Sequence, residues 1–552
     1  MISARIPGTW RRISGVAATL PTVAILAVAA SSGHPASAAP ASAGSAQATA
    51  AQWTGTWAAS PQKPERPGFA NVTLRLIVHT TIGGNAARIR LSDEFGTRPL
   101  RIGAASVGLA AAGAAVVPGT LHPLTFHGGQ PGATIAPGSQ ILSDGVAGTI
   151  PPNSNLAVSL YLPTATGAPT EHANGGDSSQ TSYISASGNQ TEDAGLQYTK
   201  TTNSWFFLDG VDVDAPGTSA VVALGDSLTD GVYSTDNTDT RYPNWLYDRL
   251  QSAGGQYAGL SVLDAGIGGN ELLRTSACCG ASPSALSRLD TDALDQSGVR
   301  DVIALLGTND ILGAHHAGSA EVIDGLRQLI SRVHARGLRI FGGTIPPSRE
   351  FSAAENQTRL AVNRWITSSG AYDGVFDFAS AVADPVDSAQ LNPAYDANTD
   401  GLHPNSLGYQ AMADAVNITD LRGYTYDDRS LDYSGPWAHA GASLHYTHGD
   451  YQQTEANSDR PNASVSLAFH GTGVEWVGPR GANSGIADVY LDGKQVATVD
   501  TYDPVTKLFQ QDLYQAQGLA PGRHILTIKP AGTKNPLSAG TGIAIDAIKV
   551  TG

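Results

Sequence analysis

Four short blocks carry side chains whose types and spacing could do chemistry together. They are Gly225-Asp226-Ser227-Leu228-Thr229-Asp230-Gly231, Gly266-Ile267-Gly268-Gly269-Asn270, Gly307-Thr308-Asn309-Asp310 and Asp400-Gly401-Leu402-His403. A serine hydroxyl is a poor nucleophile at neutral pH and needs a base to take its proton. His403 can be that base. Asp400, three residues earlier on one turn, can reach one imidazole nitrogen while the other faces Ser227, fixing the tautomer and stabilising the imidazolium. Acyl transfer through Ser227 would also develop an oxyanion, which needs donors aimed at it. The glycine block lets backbone approach a ligand closely, and the third block presents the Asn309 amide. Taken alone, Ser227 reads as a helix-capping serine; the ordered set of blocks is what favours chemistry. Asp226 and Asp310 read as braces for the turns beside the reactive groups.

Such blocks must be carried by rigid elements. Segments 220–224, 262–264, 302–306 and 340–344 are short and apolar throughout, the pattern of parallel strands buried on both faces, and the first three run into the first three blocks. In a doubly wound sheet, ligands bind outside the carboxyl ends of the strands. Residues 321–336 place Val322, Ile323, Leu326, Leu329, Ile330 and Val333 on one helical stripe, with Ser319 as the expected cap and Gly337 as the stop. The predicted class is α/β over 216–423, the catalytic domain.

On either side the hydrophobic period changes to two. Val72, Leu74, Leu76 and Val78 alternate before Gly83-Gly84-Asn85, which is expected to turn the chain into 88–91 as a hairpin; Leu156, Val158, Leu160 and Leu162 alternate later. Residues 53–215 are predicted to form an N-terminal antiparallel β-sandwich. Alternation returns at Val465, Leu467 and Phe469, at Val489 and Leu491 before an Asp492-Gly493 turn into Val496, and at Ile525, Ile528, Ile543 and Ile545. That predicts a second sandwich over 432–552. Trp476 lies in its strand pattern and reads as core, whereas Trp437, beside Pro436 in a loop-like stretch, is the better sugar platform. No period of 20 to 50 residues recurs, which excludes a solenoid or propeller.

The chain's 552 residues suit three domains with unfolded ends. Residues 1–38 read as an export signal, with Arg5, Arg11 and Arg12, an apolar stretch over 16–30, and a small-residue cleavage site at Ala36-Ser37-Ala38. The mature chain is expected to begin near Ala39 with a linker over 39–52 and to be secreted and extracellular. The apolar stretch is broken by Pro21 and no other segment approaches a spanning helix, so stable membrane insertion is not expected. Removing the three arginines takes the formal charge from −15 to −18, which opposes nucleic acid as a partner. The only cysteines, Cys278 and Cys279, are neighbours, and read as two free thiols or as a strained disulfide. His315 and His316 lack ligands at metal spacing and read as surface residues; no metal is expected.

Together the four blocks resemble the SGNH hydrolase family, also called GDSL esterases. The resemblance covers about 220–420. It implies Ser227 as nucleophile, His403 as general base and Asp400 as its orienting carboxylate. It also implies an oxyanion hole made of the Ser227 amide, the Gly269 amide and the Asn309 side chain, a flavodoxin-like sheet, and no cofactor. The family's Asn-x-Gly-Ile-x-Gly-Asn frame lands Gly269 on its final glycine, with Asp264 standing where that frame has Asn. Trp53-Thr54-Gly55-Thr56-Trp57 and Phe95-Gly96-Thr97-Arg98-Pro99-Leu100 resemble the N-terminal β-domain of an actinobacterial and fungal branch. The C-terminal region resembles the galactose-binding-like sandwiches appended to bacterial polysaccharide enzymes. These resemblances imply a secreted serine esterase removing short acyl groups from a glycan, with a polysaccharide as a further partner. The alternatives are a lipase or phospholipase with the same triad, and a glycan-binding protein whose esterase core has lapsed.

Overall fold

The computed structural model describes residues 51–552 apart from 65, 174–179, 277–281, 422, 429–430, 441–454, 461, 506, 521–522 and 552. The expected export signal, all but the end of the expected linker, and Cys278 and Cys279 lie outside the described residues. Among the described residues, no helix is long and apolar enough to cross a membrane.

At the centre is a five-stranded parallel sheet in the order Leu260–Gly266, Ser219–Gly225, Val299–Leu305, Arg339–Gly343 and Gly374–Phe376. The first strand in sequence thus lies between the second and third, the flavodoxin-like order, with its switch point beside the end of Ser219–Gly225. Four strands fall where apolar runs predict them. The fifth has three residues, too few to show a period. Strand Ser219–Gly225 is buried throughout, as a strand covered on both faces must be. Val221 and Ala223 join one core, while Ala220, Val222 and Leu224 join the other.

Helix Ser319–Ala335 packs Val322, Leu326, Leu329, Ile330 and Val333 into the second core. Its cap differs from expectation: Ser319 is already helical and Gly318 takes the capping position with extended backbone, so no side chain caps this end. Gly337 follows the helix with φ +70°, the left-handed stop expected of it.

The N-terminal β region consists mainly of two antiparallel sheets. One runs Trp53–Ala58, Leu208–Asp214, Gly84–Ser92, Gln140–Leu142; the other runs Tyr198–Thr202, Ser182–Ser185, Val72–Thr80, Ser154–Leu162, Ala104–Leu109, His122–Leu124. The hairpin expected at Gly83-Gly84-Asn85 is not formed. Val72–Thr80 and Gly84–Ser92 belong to different sheets, and the chain arches between them. The arch lets Leu74, Leu76 and Val78 meet Ile89 and Leu91 across the interior of the two layers, which a hairpin on one sheet could not do. It is also held from outside, because Tyr247 donates its hydroxyl to the Thr81 carbonyl and Thr81 Oγ1 lies 2.7 Å from Ser261 Oγ. The same apolar core continues into the parallel sheet through Val221, Ala223, Leu246, Leu250 and Met412.

The C-terminal β region has its own core, built from Val465, Leu467, Phe469, Val474, Trp476, Val489, Leu526, Ile528 and neighbours. Its larger sheets run Asp432–Ser434, Ser464–His470, Arg523–Pro530, Ile486–Leu491, Lys494–Asp500, and Tyr424–Asp427, Ala547–Thr551, Gly473–Arg480, Leu508–Gln517. Strand Tyr424–Asp427, which precedes the expected start at 432, pairs with the last strand of the chain. Asp492 and Gly493 both take positive φ, +50° and +77°, the turn that suits the twist of a two-residue hairpin.

Candidate active site

Strand Ser219–Gly225 ends in a tight turn that presents Ser227. Asp226 takes the capping position of the short helix Ser227–Asp230, its Oδ1 accepting the Leu228 amide at 3.0 Å, and Gly231 closes the helix at φ +81°. Gly225 has no room for a side chain, since a Cβ would lie 2.0 Å from Thr229 Oγ1. Asp226 braces this turn, as its position suggests. Burial pushes its carboxyl up to about 6, against the pull of the Leu228 amide and His403.

His403 arrives from 176 residues away, and its Nε2 lies 2.9 Å from Ser227 Oγ. Its Nδ1 lies 2.6 Å from Asp400 Oδ2, and Asp400 Oδ1 accepts the amides of Leu402 at 2.8 Å and His403 at 2.9 Å. The carboxylate therefore fixes both the backbone and the ring of the histidine. With Nδ1–H donating to Asp400, Nε2 is left to accept the serine proton. Burial works against the charge on Asp400, but the bonds from the His403 ring and from these two amides outweigh it and hold the carboxyl down at about 2. Tyr233 sets its ring edge-on to His403 at 5.5 Å.

The second and third blocks converge on the same spot. Asn309 Nδ2 donates to the Asn270 carbonyl at 3.0 Å and lies 3.4 Å from Asp226 Oδ2, tying three strand-end loops together. Gly269 takes φ +69° in a turn closed by the Asn270 amide on the Ile267 carbonyl. Among the described residues, nothing accepts a hydrogen bond from the amides of Ser227 or Gly269, so both donors are available to a ligand. Asp310 braces a different segment from the one expected. Rather than its own turn, it fixes the chain after the glycine block, accepting the amides of Leu272 at 2.8 Å and Leu273 at 3.0 Å. Asp264 accepts the Gly266 amide through Oδ1 at 2.9 Å and leaves Oδ2 without a hydrogen bond at the wall of a cavity of about 30 Å³ beneath the loops.

One supporting residue has no sequence signal. Arg288, on the short helix Ala285–Leu289, is 2% exposed and spreads its guanidinium under the site. It donates to the carbonyls of Gly225 and Ala265, to Asn270 Oδ1, to Asp292 and to Ser60 Oγ, at 2.8–3.1 Å. An arginine among polar neighbours reads as surface; only the fold shows that the Gly225 and Ala265 carbonyls at two strand ends need a buried donor. His316 lies at the surface with Nδ1 2.8 Å from Glu355 Oε1. Trp476 is fully buried, and Trp437 is half-buried with Tyr433 edge-on at 5.1 Å.

Residues 223–411 match the model of the GDSL-like Lipase/Acylhydrolase family. A 102-residue stretch is 35% identical to an A type blood N-acetyl-alpha-D-galactosamine deacetylase of Flavonifractor plautii, covering 18% of this chain and 12% of that protein. The chain therefore spans about an eighth of that relative's length. Among solved structures, similarity is found to a carbohydrate acetylesterase of Sinorhizobium meliloti, with 14% identity, TM-score 0.30 and coverage of 37% of this chain and 100% of that one. It is also found to a two-domain esterase active on acetylated mannans, with 14% identity, TM-score 0.28 and coverage of 61% and 91%. Residues 223–411 form a domain of the GDSL-like lipase/acylhydrolase family.

Proposed function

We propose that the protein is a secreted serine esterase that removes short acyl groups from a glycan through an acyl-enzyme on Ser227. Ser227 Oγ attacks the ester carbonyl carbon while its proton passes to His403 Nε2. The Ser227 and Gly269 amides and Asn309 Nδ2 stabilise the oxyanion. As the bond to the alcohol breaks, His403 returns the proton to the leaving oxygen. Water then repeats the sequence, with His403 again as base, releasing the acid and the free serine. The observation that carries this reading is the unbroken path from Ser227 Oγ through both nitrogens of His403 to a carboxylate held ionised.

The acyl-glycan substrate is supported by the stretch shared with a protein named for N-acetylgalactosamine deacetylation, and by a C-terminal β region that adds nothing to the triad. Export rests on the composition of residues 1–38. No metal or cofactor enters the proposed reaction.

Kinetics on purified protein with an ester panel test both levels of the proposal. Ser227→Ala and His403→Ala should each lower kcat at least about 10,000-fold without loss of fold. Asn309→Ala should lower kcat about 100- to 1000-fold with little change in KM. Substantial turnover by folded Ser227→Ala would remove the mechanism. A preference for long-chain esters over acetylated oligosaccharides would transfer the assignment to a lipase.

A further inference from the structure

The N-terminal β region places a buried histidine beneath the loops that carry the candidate site. His172, on the two-residue strand Glu171–His172, is 7% exposed and packs its ring against Trp205 at 5.7 Å. Its Nδ1 lies 2.8 Å from the Ser60 carbonyl and its Nε2 lies 3.2 Å from Asp230 Oδ1. Both partners only accept, so the ring must donate from both nitrogens, which makes it an imidazolium. Burial opposes that charge, but the Asp230 carboxylate and the Ser60 carbonyl outweigh it and hold the ring's pKa above its ordinary value.

Asp230 carries the contact onward. It ends the Ser227 helix, and its Oδ2 accepts the Gly268 amide at 3.1 Å, one residue before Gly269. The packing there is close: a Cβ on Gly266 would lie 2.2 Å from the Asp230 amide nitrogen. Ser60 supports the same block on either side of Gly268, since its Oγ accepts from Arg288, whose guanidinium also holds Ala265 and Asn270. Two segments foreign to the α/β domain thus hold the glycine block, one at its middle through Asp230 and the other at its flanks through Arg288.

We infer that His172 is a positioning residue for ester hydrolysis: through Asp230 it holds the Gly268–Gly269 turn so that the Gly269 amide points at the oxyanion. The N-terminal β region is then a working part of the active site. The inference rests on the proposed oxyanion role of Gly269. A misplaced donor costs rate rather than substrate binding, because it acts on charge that develops in the transition state.

The test uses the full-length protein and a small soluble ester. His172→Phe keeps a ring against Trp205 and removes both donors; kcat should fall about 10- to 100-fold with KM within about twofold. His172→Gln, which returns one donor to Asp230, should recover part of that loss. In an Asn309→Ala background, His172→Phe should cost much less than it does alone, because both changes damage one oxyanion hole. Wild-type kcat in folded His172→Phe, or losses that simply multiply with Asn309→Ala, would overturn the inference. If His172→Phe fails to fold, Asp230→Asn tests the same link from the other side, with about tenfold lower kcat expected and an unchanged kcat overturning it. Failure of both to fold would also overturn it, leaving the pair as a structural tie. Ser227→Ala measured alongside keeps the two levels apart. An inactive Ser227→Ala with an unimpaired His172→Phe removes only this inference, whereas an active Ser227→Ala removes the catalytic reading beneath it.

Discussion

The two β regions flanking the parallel sheet are alike in class and unlike in attachment. The N-terminal one shares a continuous apolar core with the sheet, from Leu76 and Ile89 through Val221 to Met412, and sends Ser60 and His172 beneath the catalytic loops. The C-terminal one closes its own core around Trp476 and touches the rest through polar contacts such as Arg523 Nε on the Pro216 carbonyl at 3.0 Å. Shared cores couple stability to the site, whereas separate cores joined by polar contacts leave each part its own stability.

The sharpest way to break this comparison is to remove each region in turn. A chain starting at Ser219 should yield no soluble active enzyme, because it removes the N-terminal part of an apolar core that is continuous with the parallel sheet and exposes what remains. A chain ending at Gly423 should keep kcat/KM on small soluble esters within about threefold, since none of the residues proposed to carry the reaction lies beyond it, while losing action on polymer if that region tethers the enzyme. Equal losses from the two truncations would mean that the regions are attached alike.

Single core substitutions sharpen the same contrast. Ile89→Ala and Ile528→Ala each empty a site 0–1% exposed and should each cost about 2–5 kcal/mol locally. Ile89→Ala should lower the temperature at which esterase activity is lost. Ile528→Ala should melt the C-terminal region, seen by Trp476 fluorescence, while thermal inactivation on small esters stays in place. A common shift of both transitions would show a single cooperative unit.

The smallest effect is electrostatic and lies where the N-terminal region meets the sheet. Burial, with Asp230 adding to it, pushes the Asp264 carboxyl up to about 7 against the pull of Arg241 and the Gly266 amide. The folded state therefore keeps this proton above the ordinary value near 4, so its stabilising contribution is present below about 4 and is lost as pH rises through about 7. Asp264→Asn retains the oxygen that accepts the Gly266 amide and removes the charge. It should melt above wild type at pH 8 and alongside it near pH 4; a constant offset across that range would refute the assignment.

The convergence of Ser227, His403 and Asp400 was legible because the signals that place them are local. Asp400 and His403 sit on one turn, and the strand before Ser227 is apolar at every position, so composition and spacing suffice to place them. The N-terminal arch was not legible, because Gly83-Gly84-Asn85 permits both a hairpin and a crossing, and the choice lies with Ser261 and Tyr247, which meet Thr81 only in the folded chain. Likewise, neither the capping of Ser319–Ala335 by Gly318 rather than Ser319 nor the reach of Asp310 to Leu272 and Leu273 has a counterpart in hydrophobic period.

Period and motif, which are short-range properties, were enough for the α/β class, the order of the reactive blocks and the alternation of the flanking strands. Tertiary structure alone decided which buried groups answer one another across the chain: Arg288 on the Gly225 and Ala265 carbonyls, His172 on Asp230, and Ser60 on both Arg288 and His172. A buried donor or acceptor must find its partner wherever the fold puts one, and Ser60 and Arg288, separated by 228 positions, carry no mark of that pairing in the sequence.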